Sequence, residues 1–233
     1  MRSLVYLIVT VSITVFPAFV FGQNAKEDMQ AMNTFYNGAS SFKSDIQVKI
    51  FTDKSDSSPL IQTAKVRKDG KRFFSELGDV KMLLSENSLL MIYEKDKRII
   101  YRGINQKDYE AYMKSFFAYN LDSIISSYDS ILYKGTENDQ KEYRIYNSKG
   151  QINKTELYLN SSTGAMNKVV YFYNEKLWGS YYKVVISFIN QGSISSAERN
   201  LFSEKKYITG SGKNVKVSSE YINYHLINTN YED

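Results

Sequence analysis

The stretch KMLLSENSLLMIYEKDKRIIYRG, from Lys81 to Gly103, sets the strongest limit on how this chain folds. Polar clusters at Glu86 to Ser88 and at Glu94 to Lys97 divide it into short strands joined by tight hairpin turns. Successive strand residues point to opposite faces, so Leu90 and Ile92 share one face of the middle strand while Leu89, Met91 and Tyr93 share the other. Both faces are apolar. A hairpin usually buries one face and wets the other, so helices, a partner or a ligand must cover the second.

The flanking sequence predicts more strands. SDIQVKIF alternates Ile46, Val48 and Ile50 against Asp45, Gln47 and Lys49, and LIQTAKVRKDGKRFFSELG gives two strands turning at Asp69-Gly70. After Gln106 the period changes: Tyr109, Tyr112, Met113, Phe116 and Phe117 form the apolar stripe of a helix reaching Ala118, with Asn105 as its N-cap. Leu121, Ile124, Ile125 and Tyr128 repeat that spacing in a shorter helix, and Met29, Met32, Phe35 and Tyr36 mark an earlier one over residues 25–36. Strands resume at SILYKG, KEYRIYN, KTELYLN, KVVYFYN and YYKVVISF, followed by a polar segment with helical character around Ala197 to Phe202 and a closing strand in NVKVSSEYINYHLIN. Short connections make the strands antiparallel neighbours, so those from Asp45 to Tyr101 and from Ser130 to Phe188 are expected to form one strongly curved antiparallel sheet, with the Gln106 helix on its concave side. Twenty tyrosines and thirteen phenylalanines against two prolines agree with high sheet content.

The N-terminus, MRSLVYLIVTVSITVFPAFVFGQ, reads as a secretory signal peptide over residues 1–22, with Val20 and Gly22 at the small-residue positions before the cut. The alternative, a permanent anchor, is disfavoured because the apolar run from Leu4 to Val20 falls short of a span of about 20 residues. Removing 22 residues from 233 leaves 211, expected to form a single domain over residues 23–233 with an extended C-terminal tail from about 191 onward. With no cysteine there is no acylated lipoprotein cysteine, disulfide, zinc thiolate or cysteine nucleophile. A net charge of +5 with interspersed signs gives no indication of nucleic-acid binding. The basic cluster Arg67, Lys68, Lys71 and Arg72 is expected to be a solvated hairpin tip.

Catalytic chemistry is thin. His225 is the only histidine, which leaves no histidine-based triad or two-histidine metal site within one chain. GSGK at Gly210 to Lys213 lacks the glycine of a phosphate loop at Tyr207 and the magnesium-holding hydroxyl at Asn214. No enzyme activity, cofactor or metal is implied.

In order, the helix ending near FYNGASSF, the strand SDIQVKIF, the hairpin ahead of GKRFFSEL, the pair KMLLSENSLLMIYEKDKRIIYRGI, the aromatic helix and EYRIYNSKGQINKTELYLNSSTGAMNKVVYFY resemble the periplasmic outer-membrane lipoprotein carrier family. The resemblance to this LolA/LolB-like fold covers roughly Ala25 to Phe188 and leaves a tail longer than the family needs. It implies an α+β fold, an incomplete antiparallel β-barrel around helices, with an apolar cavity for acyl chains. Tyr109, Tyr112, Phe116 and Phe117, with Leu90 and Ile92 or their opposite-face neighbours Leu89 and Met91, are the expected lining. The family's cavity arginine falls nearest to Arg72, with Arg67 as the second choice. The expected function is a periplasmic binding or carrier protein that shields a lipid or lipid-modified polypeptide, with outer-membrane lipoprotein sorting as the finer form. The alternative is a non-enzymatic cell-envelope interaction or assembly protein that uses the fold as a scaffold. Expected partners are lipid or lipoprotein acyl chains and an envelope protein, without nucleic acid and without a stable membrane span once the signal is removed.

Overall fold

The computed structural model describes residues 25–52, 54, 58–117, 128–174, 182–210 and 212–229, with the side chains of 114–117 outside that description. The expected signal peptide and the expected helix at Leu121 to Tyr128 lie outside the described residues, apart from Tyr128 itself. Among the described residues no helix is long and apolar enough to cross a membrane.

Among the described residues two helices, α1 (residues 25–38) and α2 (Gln106–Phe117), accompany fourteen strands. These are β1 (Ser41–Phe51), β2 (Leu60–Asp69), β3 (Arg72–Leu77), β4 (Val80–Leu84), β5 (Ser88–Tyr93), β6 (Arg98–Gly103), β7 (Ser130–Glu137), β8 (Gln140–Tyr146), β9 (Ile152–Asn160), β10 (Met166–Tyr173), β11 (Lys183–Gly192), β12 (Ile208–Thr209), β13 (Lys216–Val217) and β14 (His225–Asn228). Twelve form one sheet in the order β14-β6-β5-β4-β3-β2-β1-β11-β10-β9-β8-β7, and β12 pairs with β13. Contacts among the described residues group them into two compact units, within residues 1–37, 50–59 and 119–185 and within residues 38–49, 60–118 and 186–233.

In the first unit, β7 to β10 form an antiparallel meander. Helix α1 buries Ala25, Met29 and Tyr36, and the Met166 amide donates to the Tyr36 hydroxyl at 3.0 Å. Asp28 accepts from Lys141 at 2.7 Å and from the Tyr143 hydroxyl. Between β9 and β10, the Asn160 side chain holds the turn by accepting from the Ser162 and Thr163 amides.

The second unit contains the two-faced stretch. Its turns fall where the polar clusters predicted, with the Ser85 amide bonded to the Ser88 carbonyl at 2.9 Å and Lys97 in the left-handed region at φ 48°. The β4–β5 register pairs Leu83 with Leu90 and Leu84 with Leu89, which sorts the apolar side chains into two sets. Phe74, Leu83, Leu90, Ile92 and Ile99 form one core with Ile194, Phe202, Tyr207, Ile208, Val215 and Tyr221. Phe73, Leu84 and Leu89 form the other with Ile104 and Tyr109 of the α2 region. One face is therefore covered by α2 and the other by the C-terminal segment.

That segment is the one expected as an extended C-terminal tail. It is built from short 3-10 turns, including Glu198–Phe202 and Ser219–Tyr221, and supplies one whole side of a core. The expected closing strand is likewise broken at Ser219–Tyr221, and only His225–Asn228 joins the main sheet. It pairs parallel to β6, so the sheet is mostly rather than wholly antiparallel. Turn bonding of the Tyr224 amide to the Tyr221 carbonyl, with Tyr221 buried, turns the backbone out of extended form there.

Candidate functional site

Helix α2 starts where its cap was expected: the Asn105 side-chain oxygen accepts from the Asp108 amide at 2.9 Å. Its first turns plant Tyr109, with Tyr112 and Met113 beside it, on the face carrying Leu84, Leu89 and Met91. Next to this contact lies a pocket of about 420 Å³ lined by Leu89, Met91, Ile100, Arg102, Tyr112 and Thr229. The β5–β6 register explains the lining, since Met91 faces Ile100 and Leu89 faces Arg102 across the ladder, and all four side chains emerge on one face. Thr229 closes one end, held by its amide on the Tyr101 carbonyl at 3.1 Å. Arg102 Nη1 donates to the Tyr112 hydroxyl at 3.4 Å.

Of the residues expected to line a cavity, Tyr112 does so and Tyr109 is buried beside it. The side chains of Phe116 and Phe117 lie outside the described residues. Leu90 and Ile92 do not join α2: both are fully buried on the opposite face against the C-terminal segment, and Leu89 and Met91 take the helix side. Arg72 is half exposed, pairs with Asp69 at 2.5 Å and stands over the Phe202 ring at 5.3 Å to its centroid, away from the pocket. Ile100, Arg102 and Thr229 were missed. Extending the alternation from Met91 across the hairpin would have found Ile100 and Arg102; Thr229 arrives through a parallel pairing with no local signal.

Arg67, expected as part of a solvated turn, is only 6% exposed and Lys68 only 9%. Only this end of β2 is buried, its first four residues being exposed, and Lys71 and Arg72 beyond the turn stay exposed. Arg67 donates to Asp45 at 2.7 Å, to Glu198 at 2.9 Å and to the Ser44 carbonyl at 2.9 Å. Glu198 also accepts from the Ser195 amide and hydroxyl at 2.9 and 2.8 Å and from Lys43 at 3.2 Å. The Ser195 amide above all, against the opposing effect of burial, brings the Glu198 carboxyl down to about 2. Burial raises the Asp45 carboxyl, but hydrogen bonds from Asn190 and Arg67 outweigh it and hold it below its ordinary value. This network fastens the C-terminal segment to β1 and β2.

The first unit carries an open groove of about 760 Å³ bordered by Asp129, Lys154, Phe172 and Tyr182. Its charged groups are already engaged: Asp129 accepts from the Ser148 amide, and Lys154 pairs with Glu156 at 3.0 Å while lying 3.6 Å from the Phe172 ring centroid. Among the described residues no group of three or more histidine, cysteine, aspartate and glutamate side chains could hold a metal ion. His225 stands exposed on β14.

The mostly antiparallel sheet is similar in fold to LolA-superfamily structures. The similarity to a LolA superfamily protein from Nitrosomonas europaea has 9% identity over 77% of this chain and 97% of that one, with a TM-score of 0.32. An uncharacterized conserved protein from Thermus thermophilus is similar at 10% identity over 88% of this chain and 99% of that one, with a TM-score of 0.48. The MucA/MucB complex of Pseudomonas aeruginosa is similar at 12% identity over 83% of this chain and 63% of that one, with a TM-score of 0.39. No family model and no curated protein matches the chain. With TM-scores below 0.5, whatever carries a function has to lie in this chain's own residues.

Proposed function

We propose that the protein is a periplasmic, non-enzymatic binding protein that shelters the acyl chain of a lipid or of a lipid-modified polypeptide in the pocket beneath α2. The observation that carries this reading is the about 420 Å³ pocket with Leu89, Met91, Ile100 and Tyr112 on its walls. Each methylene moved from water into such a site contributes about 0.8 kcal/mol, so a chain of moderate length binds at micromolar strength after ordering costs. Delivery to the outer membrane is the finer form of the proposal, and it depends on the N-terminal segment acting as a signal peptide.

The test is uptake of a lipophilic fluorescent probe by the mature protein and its displacement by fatty acids or lipopeptides, with native mass spectrometry of protein purified from its own cells. Met91→Asp, which puts a carboxylate on the pocket wall, is expected to abolish uptake with the circular dichroism unchanged. If the wild type takes up no probe and carries no lipid, the protein-binding reading replaces this one. Exposed Leu60, Ile61 and Leu77, on the neighbouring strands β2 and β3, favour that second reading.

A further inference from the structure

We infer that the pocket beneath α2 selects a single-chain amphiphile with an anionic head, a carboxylate or a phosphate ester, and that Arg102 is the group that holds the head. The inference rests on the proposed chain-binding role of the pocket and adds a ligand class to it. The arginines of β2, β3 and β6 divide sharply. Arg67 is matched by Asp45 and Glu198, Arg72 by Asp69, and Arg98 lies 3.7 Å from Asp96. Arg102 has no carboxylate partner among the described residues, and its side chain donates to the Tyr112 hydroxyl at 3.4 Å.

Its place is as informative as its state. Arg102 stands directly across the β5–β6 ladder from Leu89 and lines the same pocket as Met91 and Ile100. Its aliphatic stem can lie along that apolar row while the guanidinium stays at the mouth, within reach of solvent. A chain entering the pocket then brings its head to a planar, permanently charged fork that accepts a carboxylate or phosphate through two parallel hydrogen bonds. A neutral head leaves the fork to water, and a cationic head is repelled. The Tyr112 hydroxyl, which receives the guanidinium's hydrogen bond, orients the fork across the opening.

The experiment compares displacement of a bound lipophilic probe by dodecanoate, dodecanol and dodecyltrimethylammonium, which share a chain length and differ in head charge. On the wild type, dodecanoate is expected to act at about tenfold lower concentration than dodecanol, and the cation to be the weakest. Arg102→Gln is expected to erase the difference between dodecanoate and dodecanol, and Arg102→Lys to restore part of it. Acetate and inorganic phosphate are expected to displace nothing, which assigns the selectivity to a headed chain rather than to a free anion. Equal potency of the three amphiphiles on the wild type, or a preference that survives in Arg102→Gln, overturns the head-group inference and leaves chain binding intact. Absence of probe uptake in the wild type overturns both.

Discussion

At the scale of single residues, Arg67 decides most. Its guanidinium is buried, and its two carboxylate partners come from β1 and from the C-terminal segment. Truncating one member of such a group leaves the others desolvated without their counter-charge, so Arg67→Ala should cost about 3 kcal/mol, read from the shift of the urea midpoint. Acid should act through the same group. Glu198 sits at about 2 in the folded chain against an ordinary 4.5, so its contribution is complete above about pH 4.5 and is lost as pH falls toward about 2. After solvent screening of this partly exposed carboxylate the loss is on the order of 1–2 kcal/mol. Glu198→Gln should be less stable at neutral pH and should lose less on acidification than the wild type. Parallel pH profiles for the two proteins would show that the network does not couple to folding.

At the scale of elements, strand alternation controls what each helix can touch. Helix α2 meets Leu89 and Met91 because its connection from β6 delivers it to that face, and the pleat then turns Leu90 and Ile92 to the other side. In the first unit, α1 comes so close to the β9–β10 turn that a Cβ on Gly164 would lie 3.1 Å from the Ala31 carbonyl carbon and the Met32 amide nitrogen. Gly164 also has φ +74°, which a side chain disfavours. Gly164→Ala should therefore cost about 1–3 kcal/mol in thermal or urea unfolding. Amide exchange should quicken first along α1, since that helix must move to make room. Unchanged α1 protection in the variant would mean that the turn, and not the helix contact, absorbs the strain.

At the scale of the whole molecule, the C-terminal segment completes the second unit. Ile194, Phe202, Tyr207, Ile208, Val215 and Tyr221 cover Phe74, Leu83, Leu90, Ile92 and Ile99, all nearly inaccessible to solvent. A chain ending at Gly192 would expose that contiguous apolar face and lose the Glu198 arm of the Arg67 network. It should bind a hydrophobic dye such as ANS strongly and show a reduced urea m-value, as expected when a cooperative unit fails to form. A truncated protein with the wild-type m-value and no dye binding would show that the cover is dispensable.

The strands of the two meanders, their turns and the start of α2 are legible in the sequence because each rests on neighbours a few residues apart: alternation, Asp69-Gly70, Asn105; the C-terminal strands are not. The sequence also determined that the Lys81 to Gly103 stretch must be covered twice. Only the tertiary structure decided what covers which face. Alternation separates Leu90 and Ile92 from Leu89 and Met91 but carries no label for the side on which a helix arrives. Nor could local pattern foresee that Arg67 would be buried and Arg72 left outside, since both belong to one basic run and only Arg67 meets Glu198, more than a hundred residues later. Thr229 reaches the pocket through the parallel pairing of β14 with β6, a contact between distant segments that no local period records.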